Sequence, residues 1–96
     1  MRTVTLVHHR VEDYNAWRSV YDGVADLQRE GGVRYQRVMR GADDPNMIVV
    51  VHEFDSRESA QAFFDNPGLR DAMGRAGVDM GSFQLEVLED LGGGEL

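Results

Sequence analysis

Cysteine is absent from the 96 residues. That excludes disulfides and thiolate metal sites, and it leaves the redox compartment unmarked. Lysine is absent too; all ten basic residues are arginine, which reflects the coding bias of a GC-rich genome rather than chemistry. Against 17 acidic residues they leave a net charge of −7. A nucleic acid or an anionic membrane needs a cationic face, so neither is expected as a partner. Long apolar runs are also missing. Val4–Val7 is too short for the core of a signal peptide. No stretch approaches the roughly 20 residues of a membrane-crossing helix. The expectation is a cytoplasmic protein. No glycine-rich phosphate loop is present to hold a flavin or nicotinamide, so no cofactor is expected.

The segments that remain read cleanly. TVTLVHHRV (3–11) is β-branched and apolar, as a strand requires. Glu12 or Asp13 then opens a helix in which Trp17, Val20, Tyr21, Val24 and Leu27 form one stripe at three- and four-residue spacing. Gly31-Gly32 ends it. Val33–Arg40 reads as a second strand, GADDPN as a turn fixed by Pro45, and MIVVVHEF (47–54) as a third strand. Asp55 to Glu58 has capping-box spacing, with Asp55 in the cap role before a helix carrying Ala60, Phe63 and Phe64. Asn66-Pro67 interrupts that helix and starts a shorter one with Leu69, Met73 and Ala76, which Gly77 stops. SFQLEVLE (82–89) alternates as a last strand.

The order βαββαβ predicts an α+β, ferredoxin-like antiparallel sheet with helices on one face, formed as a single domain over residues 1–90 with a flexible tail at 91–96. A sheet wet on one side alternates apolar and polar residues. Val4-Thr5-Leu6-Val7 and Ile48-Val49-Val50-Val51 do not. Both faces of the central strands therefore need cover, and a second copy is the natural cover for the face without helices. A homodimer pairing sheet against sheet is expected.

Three segments carry a family resemblance: H-x-V-x-D-Y-x-x-W at His9–Trp17, E-F-D-S-x-E-S-A-x-x-F at Glu53–Phe63, and N-P-x-L-R-x-A-M at Asn66–Met73. Over residues 3–89 the chain resembles the dimeric α/β-barrel superfamily, in particular its antibiotic-biosynthesis-monooxygenase-like branch and the small actinobacterial proteins called cyclase-like. The resemblance implies a dimeric α/β barrel. It spans cofactor-free monooxygenases, haem-degrading oxygenases, polyketide cyclases, lactone isomerases and proteins without known activity. The haem-degrading relatives use an asparagine late in the first strand, a tryptophan on the second helix and a histidine iron ligand on the short helix after it. Those places are held here by His9, Phe63 and Met73, so the ligand is lost and the methionine packs. The cofactor-free monooxygenases are matched only in part, because the tryptophan, Trp17, is on the first helix.

Neighbouring strand residues face opposite ways, so His8 and His9 cannot line one pocket. The resemblance puts His9 on the helix side, with His8 toward the dimer partner or the rim. Tyr14, Trp17, Met39, Phe63, Phe64, Met73 and Phe83 are expected around it: an aromatic cavity for a flat hydrophobic ligand with one polar handle. An imidazole of pKa near 6.5 there is a candidate base for an acidic phenol or β-dicarbonyl carbon, which then reacts with O₂ or cyclises without a cofactor. Trp17, Tyr21, Phe63 and Met73 are the candidate ring-binding residues, and Arg37 the candidate oxyanion holder. Each also has a structural reading: His9 pairing with a carbonyl or Asp13, Trp17 and Tyr21 as core, the arginines paired to surface carboxylates. His52, four or five residues from His9 along the paired strands, is too distant to share a metal ion with it. The two functional readings are a cofactor-independent monooxygenase or cyclase acting on a small aromatic or polyketide-like substrate, and a non-catalytic dimeric module for a small ligand or another protein.

Overall fold

The computed structural model describes residues 2–96. The chain runs β1 (Thr3–Val11), α1 (Tyr14–Gly23), α2 (Ala25–Glu30), β2 (Tyr35–Arg40), β3 (Met47–Phe54), α3 (Arg57–Asp65), α4 (Pro67–Arg75) and β4 (Val78–Glu89). The strands form one antiparallel sheet in the order β2-β3-β1-β4. This is the ferredoxin-like arrangement. No helix among the described residues is long and apolar enough to cross a membrane.

One face of the sheet is sealed by the helices. Along β1, Thr3, Thr5, Val7, His9 and Val11 are buried, and along β3, Ile48, Val50, His52 and Phe54. Antiparallel pairing sets Thr5 opposite His52, Val7 opposite Val50 and His9 opposite Ile48, so these residues share that face. Trp17 and Ala76 complete one apolar cluster with Val7, Val11, Ile48 and Val50; Phe54, Ala60 and Phe63 make a second. Burial of each large side chain contributes roughly 2–3 kcal/mol. The other face bears half-buried Val4, Leu6, Val49 and Val51, flanked by exposed Tyr35, Met39 and Leu88.

The helix boundaries follow local chemistry, with two departures from expectation. Asp13 caps α1 by accepting from the Ala16 N–H at 2.9 Å. The expected single helix to Gly31 is instead two, broken at Val24, whose φ of −106° and ψ of 22° leave the helical region. Gly23, a poor helix former, precedes this β-branched residue, and the backbone N–H of Val24 closes onto Tyr21 O. The stripe expected along one helix still faces the sheet across the joint. The second departure is the cap of α3. Ser56, not Asp55, accepts from the N–H of Ser59 at 3.1 Å. Asp55 is held by Arg34 at 3.0 Å instead, which moves the cap one residue on. Asn66 caps α4, Pro67 takes its first position, and Gly77 leaves it with φ of 76°.

The last strand is longer than expected and interrupted. His8 pairs with Gln84 and Arg10 with Asp79, so residues 80–83 all lie opposite His9. Ser82 pins this bulge: its Oγ accepts from the Arg10 N–H at 2.8 Å and donates to Asp79 O at 2.6 Å. Such a bulge re-aims side chains, and here it turns Phe83 onto His9.

Two glycines give a paired test. A Cβ at Gly23 meets open space, so Gly23→Ala should stabilise the chain by about 0.5–1 kcal/mol in urea unfolding. A Cβ at Gly31 would strike the Phe63 ring and lie 3.1 Å from Leu27 O. Gly31→Ala should therefore destabilise by about 1–3 kcal/mol. Equal effects of the two substitutions would contradict this packing.

Candidate functional site

A cleft opens between the sheet face and the helices, about 60 Å³ in volume. β1 and β3 supply Val7, His9, Val50 and His52; the first helical segments supply Trp17, Tyr21 and Gln28; α3 and α4 supply Phe63, Phe64 and Met73; the bulge supplies Phe83. Its rings form a row. His9 lies 5.8 Å from Trp17, Trp17 stacks on Tyr21 at 4.8 Å, and Tyr21 lies 6.3 Å from His52. Phe83 stacks beside His9 at 6.3 Å and 10°. Trp17 and Tyr21 are four residues apart on α1, which puts both rings on the helix face toward the sheet.

The polar atoms here are few and under-satisfied. His9 is 3 % exposed and its Nδ1 is buried without a hydrogen-bond partner. Burial pushes its pKa down to about 4, and the neighbouring His8 adds to the fall. His52 is likewise pushed down to about 4 by burial. Its Nε2 lies 3.1 Å from the Tyr21 hydroxyl, which also donates to Gln36 Oε1 at 2.9 Å. The Nδ1 of His52 is buried without a partner. Burial raises the Tyr21 pKa, so the phenol stays protonated. At neutral pH the cleft thus holds two uncharged imidazoles in an apolar surround. The pKa near 6.5 expected for His9 is corrected by this desolvation.

Five of the six residues singled out from sequence meet in this cleft: His9, Trp17, Tyr21, Phe63 and Met73. Arg37 does not. It stands opposite Val51 on the face away from the helices, where its Nε donates to the Tyr35 hydroxyl at 3.1 Å. Met39, opposite Val49, is on that outer face as well, not beside His9. Strand parity decides both. The arginines on the helix side are Arg18, 5.6 Å from the Tyr21 ring, and Arg40, 5.2 Å from the Tyr14 ring. Sequence reasoning missed His52 and Gln28 as lining residues. The signal for His52 was available: it pairs with Thr5, which shares a face with His9. The four-residue stagger between His9 and His52 keeps the two imidazoles from sharing one ion. Among the described residues no group of three potential metal-binding side chains converges.

With this geometry in place, the class is defined by its fold: an α+β, ferredoxin-like unit with a helix-side cleft. Solved structures place it among antibiotic biosynthesis monooxygenase-like proteins in fold. SnoaB, a cofactor-independent oxygenase from Streptomyces nogalater, superposes with a TM-score of 0.79 at 12 % identity, covering 96 % of this chain and 95 % of its own. Rv0793 from Mycobacterium tuberculosis gives 0.74 at 16 % identity over 99 % and 100 % of the two chains. A provisionally named antibiotic biosynthesis monooxygenase from Bordetella bronchiseptica gives 0.77 at 8 % identity over 94 % and 97 %. No protein-family profile matches the chain, and no curated protein matches it by sequence.

The buried imidazoles make stability depend on pH. Their folded pKa values near 4 lie below the ordinary 6.5, so the unfolded chain takes up protons first as pH falls. Stability should be full above about pH 6.5 and decline toward pH 4, by roughly 3 kcal/mol per histidine at 1.36 kcal/mol per unit. Urea unfolding between pH 7 and 4 checks this. His52→Leu should remove about half of the decline; an unchanged slope in that variant contradicts the assignment.

Proposed function

We propose that this chain is a cofactor-independent oxygenase or cyclase acting on a small aromatic or polyketide-like substrate, with His9 as the base. The observation that carries the reading is a neutral, unpartnered imidazole at one end of a cleft walled by aromatic rings. Trp17 and Tyr21 would hold the substrate ring, with Phe63 and Met73 closing over it. The fold shared with SnoaB, a cofactor-independent oxygenase, supports the reaction class.

The chemistry sets the substrate's acidity. His9, with a conjugate acid near pKa 4, takes a proton from a simple phenol of pKa about 10 against a gradient of about 6 units, or roughly 8 kcal/mol. That fits beneath a barrier of about 16 kcal/mol for ten turnovers per second, and a more acidic enol or anthrone carbon fits with room to spare. The proton goes to His9 and the electron pair stays on the substrate as an enolate. In the oxygenase reaction the enolate carbon bonds to O₂. One oxygen atom remains as a new carbonyl and the other leaves as water, so the substrate itself supplies the electrons. In the cyclase reaction the same carbanion closes on a carbonyl within the substrate.

A second reading, a non-catalytic ligand-binding module, is favoured by the tightness of the cleft. Its 60 Å³ is below the roughly 150 Å³ apolar cavity that accepts benzene. A ring enters only if a side chain yields, and flexible, half-buried Met73 is the one built to do so. In either reading the chain works as a homodimer closed over the outer sheet face, whose Leu6, Val49 and Val51 are apolar and only half-covered in one copy.

His9→Ala should abolish oxygen uptake with anthrone substrates, measured by oxygen electrode, while circular dichroism stays unchanged. Undiminished turnover in the variant would remove the base role, and no turnover by the unmodified protein would leave the binding module. Sedimentation should show a dimer at micromolar concentration, and Val51→Lys should convert it to a monomer. A wild-type monomer contradicts the closed outer face.

A further inference from the structure

A second space adjoins the cleft. Between the first helical segments and the β2 edge runs a polar groove of about 490 Å³, lined by Asp22, Arg29, Arg34, Tyr35 and Gln36 among others. Tyr21 and Gln28 are the two residues that border both spaces. Gln28 is a polar side chain only 8 % exposed. The Tyr21 hydroxyl is the partition itself, donating to Gln36 on the groove side and meeting His52 on the cleft side.

Resting on the reading of the cleft given above, we propose that groove and cleft are two halves of one ligand site, divided by the Tyr21 side chain, and that its ligand is amphiphilic: an aromatic head beside His9 and a short acidic, oxygen-bearing tail in the groove. Three observations support it. The cleft alone takes a single ring only when a side chain yields, whereas the groove is eight times larger by the same measure, 490 against 60 Å³. The groove presents donors: the Gln28 and Gln36 amides and the guanidiniums of Arg29 and Arg34. Those guanidiniums are held only by exposed carboxylates, Asp26 at 2.8 Å and Asp55 at 3.0 Å, weak pairs that a ligand carboxylate can displace or share. Asp22, the acidic residue of the lining, is engaged by Arg18 at 2.9 Å.

The partition is also placed to move. Tyr21 sits two residues before Gly23 and three before Val24, where the helix breaks. Its ring leaves the groove wall once two hydrogen bonds part, and both can be remade to a ligand tail.

Trp17 is the sole tryptophan and stacks on Tyr21, so its fluorescence reports the cleft. Two probes separate head from tail: 4-ethylphenol, and 4-(4-hydroxyphenyl)butanoate with the acidic tail. Both should quench Trp17, the tailed probe with at least about tenfold higher affinity. The double variant Arg29→Ala, Arg34→Ala should erase that advantage and leave 4-ethylphenol binding unchanged. Tyr21→Phe, which keeps the ring but frees the partition, should speed quenching by the tailed probe in stopped flow. Equal affinities of the two probes in the unmodified protein overturn the proposal while leaving the cleft reading intact, as does a tail advantage that survives the double variant. Equal binding of the corresponding butanamide overturns the acidic tail. Failure of both probes to quench overturns the cleft reading and this inference with it.

Discussion

The antiparallel pairing of β1 with β3 is the constraint on which the rest depends. It sets Thr5 against His52 and His9 against Ile48, and so commits both imidazoles to the face that the helices cover. A slip of one residue would turn every side chain of β1 over. Val7 and Val11 would leave the core and His8 would replace His9. The register is held because both strands bury an unbroken alternate set, from Thr3 to Val11 and from Ile48 to Phe54. At the far end, Val11 N–H bonds Asn46 O and Arg10 is tied to Asp44, so the β2–β3 turn is anchored to the same pairing.

That pairing places polar atoms where a core prefers none. Thr5 Oγ1 and the Nδ1 atoms of His9 and His52 are buried without partners. A leucine and a valine at the two histidine positions would pack at lower cost. Stability is given up at positions that line a cleft, and the loss takes a definite form, a lowered pKa that keeps the rings uncharged. The bulge of β4 belongs to the same arrangement. Ser82 pins four residues opposite one, and the displaced strand brings Phe83 flat against His9. The aromatic row then walls the cleft, with Met73 in its lining.

The two faces of the sheet divide the labour. The helix side encloses; the outer side carries apolar Val4, Leu6, Val49 and Val51 half-covered. Arg37 illustrates the division. Read along β2 it looked like a partner for a pocket anion, yet parity sends it outward to Tyr35 while Gln36 and Val38 turn inward. Tyr21 meets Gln36 and His52, both on the helix side, through one hydroxyl, and its side chain borders cleft and groove alike.

Composition and periodicity alone determined much of this. The β1 and β3 ranges, the Asn66-Pro67 interruption, the Gly77 stop and the ferredoxin-like order were legible, because they rest on local rules: alternation, capping, φ restriction; alternation also separated His8 from His9, while the choice of His9 as the inward one came from the family resemblance. The helix joint at Val24 was not, since an uninterrupted apolar stripe outweighed one glycine. The cap on Ser56 depended on Arg34 engaging Asp55 from another element. The bulge opposite His9 needed the Arg10–Ser82 bond, 72 residues apart in sequence. His52 in the cleft, Arg37 out of it and two imidazoles near pKa 4 were decided only when the strands paired and the helices closed over them. Register and desolvation are properties of contacts between distant segments, and no local pattern in the chain encodes their outcome.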